Sequence, residues 1–222
     1  MLGASQSSMA KTLATIHKVI TRGLEVTKSR SQSFAEEGFD PSLRSGFISY
    51  ARTFVNLTHA HHDTEEVLIF PYAQEKMPDT SFDSLIAQHR EITALLDQMK
   101  AAIGEAEKSA EAAGPLSRMS GIATAMGEIW QPHIGEEESI FSAGKVNAVV
   151  TPEEQGKLMQ QAAQHGMSHA GPDYLAAPFV LHNLSAEDRA FMAGEMPPII
   201  SQELVPVVWK DQWAPMKPFL LP

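Results

Sequence analysis

The chain has 222 residues, 43% of them apolar and 20% charged, enough for one good-sized core or for one domain plus an extension. Its formal charge of −10 argues against nucleic acid as a partner, because phosphate recognition needs a basic footprint. The absence of cysteine excludes disulfides, iron–sulfur clusters, thiolate zinc sites and a cysteine nucleophile, so any metal must sit among nitrogen and oxygen ligands.

The opening stretch "MLGASQSSMAKTLATIHKVI" lacks the uninterrupted apolar core of a secretory signal, and Leu2 rules out myristoylation on glycine. No later run reaches membrane-spanning length, so a cytoplasmic protein without a membrane partner is the expectation. Leu13, Ile16, Ile20 and Leu24 recur at helical spacing and predict a first helix from about Ser5 to Lys28. Gly38 to Pro41 break the chain, and Asp40-Pro41 suits an N-cap followed by proline in the first turn. A second helix is predicted from Pro41 to Lys76, ending at Pro78. "PDTS" recaps a third, from Ser81 to Ala112, which Gly114 and Pro115 stop. A fourth spans Pro115 to Phe141. Four long helices with short polar connections predict an all-α antiparallel four-helix bundle over residues 1–148.

Residues 149–222 differ in character. "TPEEQGKLMQQAAQHG" and "SAEDRAFMAGEMPPIISQELVPVVWKDQW" have helical composition, and the second opens on a capping pattern at Ser185. Frequent prolines limit helix length here. Trp209, Trp213 and Phe219 require an apolar surface, so this stretch is expected as a helical extension packed on the bundle.

Facing can be counted at about 100° per residue. Around His61, the side chains of Phe47, Tyr50, Phe54, Leu57, Glu65, Leu68 and Tyr72 fall within roughly 40° of one direction. His61 and Glu65 thus share the most apolar face of the second helix. His62 and Glu66 form a rival pair on a weaker face that includes Ala51, Thr58 and Ala73. In the fourth helix His133 and Glu137 repeat the spacing, among Met119, Ile122, Met126, Ile129 and Ile140. His17 and His89 are the inward histidines of the first and third helices. A lone buried histidine is commonly a hydrogen-bonded core residue, and "HDTEE" or "GEEES" alone is commonly a solvated face. Their coincidence, with one inward histidine per helix and a carboxylate one turn after two of them, favours a metal. Imidazole and carboxylate suit iron or manganese, and two carboxylates can bridge a pair of ions. A ferritin-like site would use Glu-x-x-His pairs, and the sequence has none.

"TIHKVI", "HHDTEEVLIFP", "AQHREI" and "HIGEEESIF", in that order, resemble the hemerythrin-like family, or HHE cation-binding domain, over about residues 10–145. The tail resembles the C-terminal extension of longer members. The resemblance implies two non-haem iron ions, bridged by carboxylates, with manganese or zinc accepting similar ligands. It assigns His17, His61, Glu65, His89, His133 and Glu137 as ligands, with His62 and Glu66 as rivals for the second-helix pair. His61 is preferred for its more apolar face and for its distance to Pro71. Oxygen carriers of the family place another histidine one turn after the third-helix ligand, where this chain has Thr93, so the nitrogen count drops unless His62 restores it.

Two functions follow. One is a binding or sensing protein for oxygen, nitric oxide or iron, with a closed pocket sized for a diatomic. The other is an oxygen-dependent oxidase or oxygenase for a small organic molecule, with an open cavity roofed by the tail and lined by Tyr50, Tyr72 or Trp130. Thr93 and the tail favour the enzyme. Pro132 either starts a new helical segment or kinks the fourth helix to aim His133. His165 and His169 form a candidate second metal pair, although Gly166 and its polar neighbours read as a loop. His182 reads as a packing or capping residue, and His59 and Asp63 as solvated. Phosphate-loop, zinc-protease and nucleophile-elbow motifs are absent from the sequence.

Overall fold

A computed structural model of the chain describes residues 8–109 and 111–222, and every regular element among them is helical. Helix α1 spans Met9–Glu37, longer at its C-terminus than expected; the start expected at Ser5, like Leu2, lies outside the described residues. Helix α2 spans Pro41–Thr64 and is capped as the sequence predicts, with the Ser42 N–H donating to Asp40 Oδ1 at 2.8 Å. It continues through a π-helical turn, Glu65–Ile69, into α3, Phe70–Lys76. Helices α4, Asp83–Lys108, and α5, Ala113–Ile140, complete the bundle; Ala110, inside the expected third helix, lies outside the described residues. Helix α5 runs through Pro132 without interruption, so that proline does not begin a new segment.

Cross-helix contacts give the directions. His17 meets Glu138 and Arg118 meets Glu105, joining the start of α1 to the end of α5 and the start of α5 to the end of α4. His89 meets Glu66 while Arg52 meets Glu107, so α2 and α4 are antiparallel; Phe34 on Phe47 and His17 on His61 make α1 and α2 antiparallel as well.

The π-helical turn corrects the facing count. Pro71 has no N–H, and its ring would press on the carbonyl four residues earlier. The chain upstream widens by one residue, with the Phe70 N–H donating to the Glu65 carbonyl. Ile69, Phe70 and Ala73 are therefore the buried residues, whereas Leu68 and Tyr72, expected inward, are only partly covered.

Beyond the bundle come α6 (Ala143–Val149), α7 (Pro152–His169), α8 (Asp173–His182) and α9 (Ala186–Glu195). A π-helical segment (Ile200–Val208), α10 (Lys210–Trp213) and a 3₁₀ turn (Ala214–Phe219) end the chain. Helix α7 opens on a reciprocal cap between Thr151 and Glu154 and carries on through Gly166 to His169, where a loop was expected. The tail packs on the first half of α2. Phe219 joins Phe34, Phe47 and Tyr50, and Gly46 lies so close to the Pro215 carbonyl that a Cβ there would overlap it. Tyr50 donates to Asn183 Oδ1 at 2.7 Å, and His182 stacks on Trp213 at 4.8 Å, a packing role. Among the described residues, no helix is long and apolar enough to cross a membrane.

Two apolar clusters fill the interior. The larger holds Val19, Leu57, Ile92 and Trp130, and the smaller holds Leu13, Ile69, Leu85 and Phe141. On each of the four bundle helices the candidate ligands fall between the two.

Candidate metal centre

This intervening layer is polar and buried. His17, Glu65 and His89 are 1% exposed, and His133 and Glu137 are 0% exposed. His61 and His62, adjacent on α2, are both buried as well. Two groups of ligand atoms form within the layer: His62, Glu65, His89 and His133 on one side, and His17, His61, Glu65 and Glu137 on the other. Glu65 belongs to both. Its Oε1 lies 3.1 Å from His61 Nε2, and its Oε2 lies 3.4 Å from His89 Nε2. Glu137 Oε2 spans a similar gap, 3.2 Å from His17 Nε2 and 3.6 Å from His133 Nε2.

All six residues expected as ligands therefore converge, and His62 joins them. Of the rival second-helix pair, His62 faces inward and Glu66 does not. The partly exposed Glu66 carboxylate instead takes the Nδ1 proton of His89 at 2.9 Å. Glu138 plays the same part for His17, and the Gln88 side-chain oxygen for His133, both at 2.9 Å. Each of these Nδ1 atoms is tied to an acceptor, which turns Nε2 toward the centre. Sequence reading missed this outer ring. Its signal lies in the doublets Glu65-Glu66 and Glu137-Glu138, where the first carboxylate faces in and the second reaches the histidine of a neighbouring helix.

The inner atoms have no hydrogen-bond partner. His17, His61, His89 and His133 Nε2, both nitrogens of His62 and all four oxygens of Glu65 and Glu137 are buried and unsatisfied. Orphaned polar atoms in a low-dielectric interior cost on the order of 1–3 kcal/mol each, and here ten of them are gathered in one buried layer. Cations bound in the two ligand groups would satisfy most of them, so the residues present fit a metal.

The charges that the ligand set carries without a metal follow from its burial. Desolvation pushes His89 and His133 down to about 4 and holds His61 and His62 well below the usual histidine range, so all four are neutral donors at pH 7. Burial, and next the charge on Glu137, raise Glu65 well above the ordinary carboxylate range. Burial alone would lower His17 and raise Glu137; their mutual attraction overrides it, lifting His17 to about 9 and holding Glu137 at about 2.

A cavity of about 120 Å³ reaches the centre from the α1–α5 side, lined by His17, Glu137, Glu138, Leu13, Ala14 and Phe141 among others. Trp130 lies against the layer from within the larger apolar cluster, its ring 5.5–6.4 Å from those of His17, His61, His62 and His133, with its N–H held by Thr21. Tyr50 is eleven residues from His61 along α2, roughly 16 Å. The end of the tail, at Phe219, covers that distant end.

Residues 8–143 match the family model described as hemerythrin HHE cation binding domain. No curated protein and no solved structure matches the chain.

Proposed function

Because the chain belongs to the hemerythrin HHE cation-binding family, we propose that its buried layer holds two non-haem iron ions and takes up molecular oxygen or another diatomic ligand beside them. The observation that carries this reading is an asymmetry. One ligand group has three histidines and the other has two, and it is the two-histidine side, at His17 and Glu137, that opens onto the cavity.

His62, His89 and His133 would hold one ion, and His17 and His61 the other, with Glu65 and Glu137 bridging. Five imidazoles favour iron over manganese, which is better served by oxygen ligands. The nitrogen missing at Thr93 is supplied by His62 from a neighbouring helix. When bound, an iron pair supplies electrons that can be exchanged with a diatomic ligand. The chain's own residues supply the rest. Glu66, Gln88 and Glu138 fix the tautomers and orientations of three histidines. The two apolar clusters and Trp130 exclude bulk water and strengthen every charge interaction inside. We treat residues 1–148 as the metal-holding bundle and residues 149–222 as an extension that buries the outer faces of α2.

The cavity beside His17 and Glu137 favours one of the two functions read from the sequence. At about 120 Å³ it suits a diatomic, while pockets for organic ligands run to roughly 300–1,000 Å³. Reversible binding or sensing is therefore preferred over oxidation of an organic substrate. The test is elemental analysis of protein purified without added metal, with optical spectra recorded through cycles of air and argon. About two irons per chain and near-ultraviolet bands that come and go with oxygen are expected. An iron-free protein, or a spectrum that bleaches irreversibly on the first exposure to air, would overturn the reading.

A further inference from the structure

Away from the buried layer, Asp63, His165 and His169 bring a carboxylate oxygen and two imidazole nitrogens within 4.8 Å of one another. Asp63 is on the last turn of α2, and the two histidines are one turn apart near the end of α7, with ring centroids 4.3 Å apart. The cluster is at the surface: the Asp63 side chain is 50% exposed and that of His165 22%.

Local hydrogen bonds settle where the ring protons sit. His169 Nδ1 is 2.8 Å from the backbone carbonyl of His165, which only accepts, so Nδ1 carries the proton. Ser168 Oγ, 3.0 Å from the same nitrogen, gives its own proton to that carbonyl and accepts from the ring. His165 Nδ1 is 3.1 Å from Thr64 Oγ1. The Thr64 hydroxyl directs its single proton to the Ala60 carbonyl at 2.6 Å, leaving Oγ1 to accept from His165. Both rings are thus held as Nδ1–H tautomers with the Nε2 lone pair free, and His165 Nε2 lies 3.5 Å from Asp63 Oδ2. A histidine whose Nδ1–H is anchored and whose Nε2 is bare is prepared to bind a metal.

We propose that Asp63, His165 and His169 form a second, surface site for a divalent transition-metal cation of the zinc or copper class. Two imidazoles and one carboxylate suit these ions, whereas calcium and magnesium select oxygen ligands. Metal–ligand bonds of roughly 2.0–2.2 Å bring ligand atoms closer together than they stand here, and the half-exposed Asp63 side chain has room to close that gap. The bound ion fastens α7 to the end of α2, one residue from His62 and two from Glu65. The site leaves further coordination positions open to solvent.

The test uses full-length protein with its buried metals in place, titrated with copper(II) and followed by electron paramagnetic resonance. Wild type is expected to hold about one copper per chain at this site, with coupling to two imidazole nitrogens. His169→Ala, which keeps the Thr64–His165 contact and so the α2–α7 junction, should bind at least about tenfold more weakly. The double variant His165→Ala/His169→Ala should lose the two-nitrogen signal, and His59→Ala should leave it intact. Failure of wild type to hold copper, or equal affinity in wild type and the double variant, overturns the proposal. Copper that entered the buried layer would give a signal that the double variant retains, which separates it from binding at this site.

Discussion

The two histidine clusters differ in what an empty site costs. In the buried layer, ten polar atoms lack partners and lie between two apolar clusters, so the fold itself is under pressure to take up a cation. At the surface, Asp63, His165 and His169 reach water, and without a metal they lose little. The same residue types therefore serve different ends. Buried ligands tie metal binding to folding stability, while exposed ligands permit exchange with solution.

The sharpest test of the contrast is Glu65→Ala. Glu65 is the one residue in both buried ligand groups, so its loss should reduce iron content to background and lower the melting temperature of the purified protein. Glu66→Ala removes only the acceptor for His89 Nδ1. It should keep the iron, with affinity weakened by about 10–100-fold. His62→Ala falls between these two. It strips one nitrogen from the three-histidine side alone, and iron content measured after mild dialysis should drop by about half. Equal iron content in all three variants would remove the asymmetry on which the proposed function stands.

His62 also marks the limit of what the sequence discloses. One inward face per helix is a sound rule for a four-helix bundle, and counting at 100° correctly turned His17, His61, His89, His133 and both glutamates inward. The rule fails for α2 because that helix is covered on further sides, by α7 near Thr64 and by the tail at Gly46. Two neighbouring residues, His61 and His62, can then both be buried. The count also fails past Glu65, where the π-helical turn ahead of Pro71 shifts the inward face from Leu68 and Tyr72 to Ile69 and Phe70. Gly166 was misread for a related reason. A glycine inside a helix looks like a break until the cap at Thr151 and Glu154 and the close approach to Thr64 are known.

A smaller effect separates the clusters by pH. In metal-free protein, His89 and His133 titrate at about 4 when folded and near 6.5 when unfolded. Their contribution to stability is complete above 6.5. It falls between 6.5 and 4, where the unfolded chain takes protons that the folded chain refuses. His17, raised to about 9, acts oppositely: its contribution is complete below 6.5 and fades as pH rises through 9. Thermal melts of metal-free protein should therefore peak near pH 6.5 and fall on both sides. Loading at pH 7 should release the proton that His17 carries, measurable by calorimetry in buffers of different ionisation enthalpy. A melting temperature constant from pH 4 to 9 would mean that the layer is more hydrated than its burial indicates.

The smallest effect tests the junction between the clusters. Thr64 directs its proton to Ala60 and holds His165 by its oxygen, while its backbone lies between Asp63 and Glu65. Thr64→Val keeps the side chain's shape and removes both hydrogen bonds. The His165 ring then loses the acceptor that keeps its proton on Nδ1, so Nε2 is less often bare, and copper affinity at the surface should fall by about tenfold. The buried ligands do not bond to the Thr64 hydroxyl, so iron content should be unchanged. That split, a weaker surface site beside an intact buried one, is expected only if the threonine serves the tautomer of His165 rather than the packing of α2. If the valine variant loses iron as well, Thr64 matters to the geometry of the buried ligands, and the two clusters are one coupled unit.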